Sequence, residues 1–432
     1  MRFAGGVVLL AGALIPGVAG AADARPVPAA AACAGTSPSD FNGDGFTDVA
    51  IGDPDEDVGG VARAGVVHIR YGVAGRVGGG EETTVTQADA GESVESGDRF
   101  GAVLKVGYVD GDGCADLVVG VPGKDVGTAA DAGQAVYVPF VAGHPGTAAV
   151  IDQNSPGVAG AAESGDHFGA AVALSGVKGI AGGIAVGAPD EDIGTDEDAG
   201  SVTAIPDPAD TTMTSYAIDQ DSPGLNGAVE AGDRFGASLS SARPMTDGPL
   251  LAVGVPDEDI GTIPDAGMVH VLMTNTLTDI AAVSQDTPEV QDTAEAGDRF
   301  GTVVTLGRER AFARMLVGIP GEDHGSVSDS GAVAEFSVGD QTVNTFIEQE
   351  DLGGVSEPGD HFGASAAYAG SLDLPTMIIG VPDDHTDPAG VVHTLQSRVD
   401  GDTDPPPPTE PRQTWTPASG ASYGAGAGGT VS

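Results

Sequence analysis

The chain has 432 residues, enough for one large domain or several small ones with a substantial core. It carries 64 acidic residues against 17 lysines and arginines, a formal net charge of -47, which excludes nucleic acid and anionic membranes as partners attracted by charge. Hydrophobic residues make up 40% of the chain and fall in short, regular runs, so we expect a folded protein that attracts divalent cations or basic surfaces.

The N-terminal segment predicts export. In "MRFAGGVVLLAGALIPGVAGAADA" one positive charge precedes an apolar stretch and a small-residue cleavage site at Ala22-Asp23-Ala24. These features are typical of a secretory signal peptide, here residues 1–24, and a membrane anchor is the weaker alternative because the apolar run is short for a bilayer. We expect a secreted protein, free in the medium or at the cell surface, with no membrane insertion. Residues 25–39 form a lead-in to the folded region.

A loop at the start of the folded region has the pattern of a cation site. The stretch "DFNGDGFTD" offers the side chains of Asp40, Asn42, Asp44 and Asp48 and the backbone carbonyl of Phe46, and Gly45 permits a sharp turn. It is not an EF-hand, because the twelfth position is Ile51 instead of Glu and a strand follows. Hard oxygen ligands in a flexible loop favour Ca²⁺, so we predict a calcium-binding β-hairpin. An Asx-rich turn without metal is the alternative.

A second, weaker copy of this loop reads "YVDGDGCAD". It offers the side chains of Asp110, Asp112 and Asp116 and the carbonyl of Cys114, but Tyr108 stands where the first loop has Asp40. Because one carboxylate is missing, occupation of this second site stays open. The corresponding stretches farther along the chain have lost the pattern.

Two short strings recur in step along the chain. "GDRFG" or "GDHFG" occurs five times, with its aromatic residue at Phe100, Phe168, Phe235, Phe300 and Phe362. An apolar run that ends in Gly-x-Pro occurs six times, at Pro54, Pro122, Pro189, Pro256, Pro320 and Pro382. Neighbouring copies are 62 to 68 residues apart in both series, so one unit is repeated about six times.

Each unit contains four short apolar runs, rich in β-branched residues and bounded by Gly, Pro and Asp, and no window shows helical periodicity. The sequence therefore predicts an all-β protein, a β-propeller of about six four-stranded blades, with seven blades as the alternative. Independent sandwiches are less favourable, because units of this size with four short strands would be marginally stable alone. The propeller spans residues 40–399, followed by a Pro/Asp-rich linker at 400–412 and a Gly/Ala-rich tail at 413–432.

Ring closure is predicted to involve the tail. The first unit begins at its cation loop and lacks a first strand and an "FG" string. In the tail, Tyr423-Gly424 continues the spacing, since Gly424 lies 61 residues after Gly363. We predict that the tail supplies ring-closing strands, and a tail without structure is the alternative.

The paired "FG" and "VGxP" strings, with a "DxNxDGxxD" loop between them, resemble the FG-GAP repeat. That repeat builds the propeller of integrin α-subunit headpieces, and related bacterial secreted proteins carry it. The resemblance covers roughly Asp40 to Val399. It implies a propeller, and it is much less specific for function.

The two cysteines, Cys33 and Cys114, predict one disulfide in an exported protein, with two unpaired thiols as the alternative. Cys33 comes just before the first cation loop and Cys114 lies inside the second. Adjacent blades would place these loops side by side on one rim of the ring.

Acidic and basic residues also recur at equivalent positions. The residue after the "GD" Asp is Arg99, His167, Arg234, Arg299 or His361. Because basic residues are scarce, this slot predicts a repeated contact with a carboxylate of the "PDED" or "DAG" turn. A ring of cation or ligand sites is the alternative interpretation of the repeated acids.

No catalytic constellation is visible in the sequence. Most histidines occupy repeat-equivalent positions, and "GASYG" in the tail lacks the strand and helix of a nucleophile elbow. We therefore predict a non-enzymatic, monomeric binding or adhesion module that uses Ca²⁺ and recognises an extracellular protein or glycan. The alternative is a propeller that accompanies a phospholipase- or esterase-type hydrolase, although nothing outside the propeller is long enough for a catalytic domain.

Overall fold

The computed structural model describes residues 7–8, 39–110, 114–141, 143–175, 183–210, 214–242, 248–288, 290, 292–309, 312–338, 343–371, 374–385 and 390–396. Within these residues the secondary structure consists of β-strands and two 3-10 helices, Gln87–Ala90 and Gln349–Leu352. The all-β prediction is confirmed.

Six sheets follow one another in chain order, one from each sequence unit, and form a six-bladed propeller. Blade 1 contains β1 (Val7–Val8), β2 (Val49–Asp53), β3 (Val66–Arg70) and β4 (Glu82–Val85). Blade 2 contains β5 (Val103–Gly107), β6 (Asp116–Val121), β7 (Gln134–Val138) and β10 (Ala149–Ile151), with a small hairpin of β8 (Phe140–Val141) and β9 (His144–Pro145) beside it.

The remaining blades repeat this order. Blade 3 contains β11 (Ala171–Ser175), β12 (Gly183–Ala188), β13 (Ser201–Ile205) and β14 (Tyr216–Ile218). Blade 4 contains β15 (Ser238–Ala242), β16 (Leu250–Val255), β17 (Met268–Met273) and β18 (Thr278–Val283). Blade 5 contains β19 (Val303–Glu309), β20 (Phe312–Ile319), β21 (Ala332–Ser337) and β22 (Val343–Ile347). Blade 6 contains β23 (Ser365–Ser371), β24 (Leu374–Val381) and β25 (Val391–Gln396). All sheet neighbours are antiparallel, as expected for strands joined by short turns.

In the full-length chain the first strand of blade 1 comes from the predicted signal peptide, whose removal on export would free this sheet edge. Val7 pairs with Gly52 and Val8 with Ile51, so β1 lies against β2 where the other blades have their "FG" strand. This is the position for which the sequence predicts a strand from the C-terminal tail. The linker and the tail lie outside the described residues, so closure by the tail stays a prediction.

The hydrophobic core lies between neighbouring blades. Phe168, which is fully buried, packs with Val118 and Tyr137 of blade 2 and with Val172 and Ile184 of blade 3. The other four "FG" phenylalanines are also 0% exposed. Each "FG" aromatic therefore fills the space between two sheets, which explains its recurrence in every unit but the first.

Backbone contacts join each blade to the next. The N–H of each "FG" phenylalanine donates to a carbonyl in the "DAG" segment of the preceding unit at 2.9 Å, as from Phe300 to Ala266. The Gly of each "VGxP" string lies against the "FG" glycine of the next unit. A Cβ on Gly318 would lie 2.1 Å from the carbonyl oxygen of Gly363. The two strings that define the repeat are thus the two sides of one joint between blades.

The repeated acids bind backbone N–H groups in the turns. The third acid of the "PDED" turn accepts a hydrogen bond from the backbone N–H of the "DAG" aspartate, as Asp259 does from Asp265 at 3.1 Å. The "GD" aspartate accepts from the glutamate three residues earlier, as Asp298 does from Glu295 at 2.6 Å. Much of the acidic composition therefore stabilises turns.

The basic slot forms a belt of ion pairs, as the sequence predicts. The Nε atom of Arg234 lies 3.0 Å from Asp190, and its Nη1 atom lies 3.6 Å from Asp257. Asp257 also lies 3.0 Å from Nε of Arg299, and Asp190 accepts from Nδ1 of His167 at 2.6 Å. The slot residues all have left-handed backbones, with φ from 52° to 60°. Since the arginines are about half exposed, each pair is worth about 0–1 kcal/mol.

Substitution of Gly318 tests the joint. We expect Gly318→Ala to lower the free energy of unfolding by about 3 kcal/mol, because backbone atoms of two blades must separate to admit the new Cβ. The control is Gly325→Ala, where the added Cβ meets nothing within 4 Å and φ is +64°. Its left-handed backbone alone costs about 1–2 kcal/mol. Equal urea midpoints of unfolding for the two variants would contradict the close backbone contact at Gly318.

The belt predicts a pH-dependent contribution to stability. The hydrogen bond to Asp190 raises the pKa of His167 above its ordinary value. A folded-state pKa above the unfolded one means that the contribution is complete below the unfolded pKa and is lost as pH rises through the folded pKa. We expect His167→Gln to lower Tm more at about pH 5.5 than at about pH 8.5. Arg299→Gln is the control, because it removes a belt arginine that pairs with Asp257 and leaves the His167–Asp190 pair in place.

Candidate cation-binding loops

The first predicted loop folds around the carboxylate of Asp40. This side chain is 1% exposed, and it accepts the backbone N–H groups of Gly43 at 2.7 Å, Asp44 at 3.1 Å and Gly45 at 2.8 Å. Gly43 and Gly45 have φ values of 72° and 86°, so the sharp turn uses the left-handed region that glycine allows. Asp40 therefore organises the loop from its inner side.

The acids at the other end of the loop differ in exposure. Asp48 is buried, and it accepts N–H groups from Phe41 at 2.8 Å and from Gly72 at 2.7 Å. Asp44 is exposed and accepts from Phe46 N–H at 2.8 Å. Burial raises the pKa of Asp48 to about 6, and the charges of Asp40 and Asp44 add to that rise. The loop thus gathers carboxylates that repel one another, and hydrogen bonds from backbone N–H groups offset part of this repulsion.

Asn42 completes the predicted set of side-chain ligands. Its Oδ1 atom accepts the N–H of Asp44 at 3.0 Å, and its Nδ2 atom donates to the Asp44 carboxylate at 3.0 Å. The side chain of Phe46 is 40% exposed at the tip of the loop. All five predicted positions therefore lie in one compact turn directly before β2, the second strand of blade 1.

The described part of the second predicted loop repeats the deep anchor of the first. Asp116 is buried, and it accepts N–H groups from Val109 at 2.8 Å and from Phe140 at 3.1 Å, which matches the pair of contacts at Asp48. Burial, followed by the charge of Asp110, raises the pKa of Asp116 to about 7. Asp112 lies outside the described residues, so the ligand set of this loop stays a prediction.

The two loops lie side by side, as predicted. The N–H of Ala115 donates to the carbonyl of Asp40 at 3.2 Å. The aromatic rings of Phe41 and Phe140 are 4.6 Å apart. Cys114, next to Ala115, is buried, while Cys33 lies outside the described residues, so their disulfide stays a prediction.

Exposed apolar side chains lie in the first loop and in two segments that contact it, a feature that the sequence did not indicate. Among the described residues, four of the five exposed large hydrophobic side chains belong here: Phe46 at 40%, Val73 at 38%, Val77 at 53% and Val141 at 42%. Val73 follows Gly72, which lies against the side chain of Phe46. We call these four residues the apolar rim. Their valines fall in hairpins with no recurring pattern, so periodicity could not have indicated them.

Two further groups bring three side-chain ligand atoms within 4.8 Å of one another, and they are the only ones among the described Asp, Glu, His and Cys residues. They are His324 with Glu348 and Glu350, and Glu357 with Asp360 and His385. A histidine contacts a carboxylate in each, His324 Nδ1 at 2.5 Å from Glu348 and His385 Nδ1 at 2.9 Å from Asp360, and this contact raises the pKa of both histidines. Asp40, Asp44 and Asp48 do not form such a group.

Comparison with known proteins supports the family resemblance. The FG-GAP repeat family matches residues 34–69, which include the first cation loop and strands β2 and β3. No curated protein sequence matches the chain. Within the described residues, no helix is long and apolar enough to cross a bilayer. The matched repeat and the six-bladed ring fit an FG-GAP propeller like that of integrin α-subunits.

Proposed function

We propose that this protein is an exported, calcium-stabilised, non-enzymatic binding module of the adhesion type. The observation that carries the proposal is the first loop, where Asp40, Asn42, Asp44 and Asp48 lie within one turn and two of the carboxylates are buried. An FG-GAP propeller is consistent with a binding module, because its rims present loops on a rigid ring.

Calcium fits the chemistry of these donors. The side chains are hard oxygen ligands, and Asp44 at the exposed tip has space to turn toward an ion. Asp40 and Asp48 are held by backbone N–H groups, which fixes the base of the loop. When bound, the ion would supply positive charge to this base and draw the tip toward it.

The apolar rim favours a protein ligand. Exposed apolar side chains grouped beside acidic ones are typical of interaction surfaces. The net charge of -47 favours a partner with basic side chains. We propose that Phe46 and Val141 contact such a partner beside the calcium loop, with a glycan ligand as the alternative outcome.

Calcium should raise thermal stability through the first loop. With a Kd of roughly 0.1–1 mM, calcium at ten times Kd should add about 1.4 kcal/mol to the free energy of unfolding. Asp44→Ala should remove most of this gain, because the tip then lacks its carboxylate. The measurement is Tm in chelator and in millimolar calcium, with Glu81→Ala as a control for loss of one exposed acid. A wild-type Tm that calcium does not change would contradict the site.

Ligand binding is tested with two further variants. The immobilised full-length protein is offered basic extracellular proteins and a glycan array, in calcium and in chelator. We expect calcium-dependent capture of protein that Phe46→Ser weakens and Val355→Ser, at an exposed site elsewhere, does not. Turnover of ester, phosphodiester or glycoside substrates by the purified protein would overturn the non-enzymatic reading.

A Cys33–Cys114 disulfide should form in the exported protein. It would tie the mature N-terminus to the rim and close a long loop, which stabilises a fold by about 2–4 kcal/mol. Mass spectrometry after alkylation in denaturant, which exposes the buried Cys114, and without reductant should find no modified cysteine. Two alkylated thiols would rule the bond out, and Cys33→Ser serves as a control in which Cys114 must become reactive.

A further inference from the structure

A second kind of acidic site recurs in several units. It lies where the loop before the "FG" string contacts the acidic turn of the same unit. We call it the turn cluster. In unit 5 it contains Gln285, Glu295, Asp298 and Glu322. Asp298 and Glu322 are only 1% and 2% exposed, and Gln285 is 1% exposed. Burial raises the pKa of Glu322 to about 9, and repulsion by Asp298 adds to it. The fold therefore places the carboxylates of Asp298 and Glu322 together in a buried position, with Glu295 exposed beside them.

Unit 2 has a cation in the equivalent place. Lys124 follows its Gly-x-Pro proline by two residues, as Glu322 does in unit 5. Its side chain is 4% exposed, and Nζ lies 2.9 Å from Glu95 and 3.4 Å from Asp98. These acids correspond to Glu295 and Asp298. In this cluster an ammonium group therefore fills the space between the same two carboxylates.

Units 3 and 4 resemble unit 5. Their clusters are built on Gln153, Asp166 and Glu191 and on Gln220, Asp233 and Glu258. Exchange of the lysine for a glutamate changes the formal charge of each cluster from -1 to -3, counted over the two shared acids and the exchanged residue. Such a cluster needs a compensating positive charge if its acids are to stay ionised.

A buried amide oxygen at each of these clusters also lacks a partner. The Nε2 atom of Gln220 donates to Glu258 at 2.5 Å, and that of Gln285 donates to Glu322 at 2.5 Å. The Oε1 atoms of Gln153, Gln220 and Gln285 are buried and accept no hydrogen bond. In unit 2, where the carboxylate is absent, neither amide atom of Gln87 has a partner. In units 4 and 5 the glutamine thus binds the carboxylate and keeps a buried, unpartnered oxygen beside it, whereas the oxygen of Gln87 does not accept from Lys124.

We propose that the turn clusters of units 3, 4 and 5 each bind a divalent cation of the calcium class, in the place that the Lys124 ammonium occupies in unit 2. Two or more carboxylates and an amide oxygen are hard ligands suited to such an ion. These sites are separate from the hairpin loop of the proposed function. Their ions would link each unit's leading loop to its own acidic turn, on the side of the blade that carries the belt.

The test exchanges residues between clusters in the full-length protein. Bound calcium per chain is measured by equilibrium dialysis for wild type, Glu322→Lys, Glu322→Gln and Lys124→Glu. We expect one ion fewer for either Glu322 variant and one ion more for Lys124→Glu. The triple variant that combines Glu191→Lys, Glu258→Lys and Glu322→Lys should lose three ions. In chelator, Glu322→Lys should melt no lower than wild type, because the ammonium replaces the ion.

The outcomes separate this inference from the hairpin site. Asp44→Ala should remove one ion from every variant alike. If the first loop binds no calcium, the differences in bound calcium between wild type and the turn-cluster variants therefore stay the same. An equal calcium count for wild type and Glu322→Gln, with both proteins folded by circular dichroism, would overturn the inference. Protons would then neutralise the buried acids.

Discussion

Contact between the backbones of neighbouring blades is the constraint on which this structure depends. The N–H of an "FG" phenylalanine binds a carbonyl of the preceding unit, and the glycine of "VGxP" lies against the next "FG" glycine. No side chain fits between these atoms, so both strings must keep their glycines. The buried phenylalanine beside the joint then sets the distance between sheets, and the apolar faces of the strands can pack only at that distance.

The same geometry determines how a chain of net charge -47 stays compact. Many acids point to backbone N–H groups in the tight turns that flank the joint, as Asp259 and Asp298 do. Each of these hydrogen bonds favours the ionised carboxylate and lowers the free-energy cost of burying its charge. Acids beyond this number must find cations. The belt supplies arginines at the surface, unit 2 supplies Lys124, and the three all-acid turn clusters carry no basic side chain among the residues that define them.

The sequence was sufficient to predict the blades, because each repeated string contains a glycine or phenylalanine that no other residue can replace at the joint. It also predicted that the two cation loops are neighbours, which the contact between Ala115 and Asp40 confirms. It did not predict β1, because a strand as short as Val7–Val8 is selected by an open sheet edge and not by its own pattern. The contacts of Lys124 could not be predicted either, since its partners lie about thirty residues away, in a loop whose length varies between units.

A joint made only of backbone atoms has a consequence for how such a ring can arise. Each unit presents the same "DAG" carbonyl and "VGxP" glycine forward, and the same "FG" segment backward. Any unit can therefore follow any other, and tandem duplication of the coding segment adds a blade without a new interface having to evolve. The hairpins and turns that face solvent are then free to diverge, so one duplicate can keep a lysine where its siblings carry a glutamate.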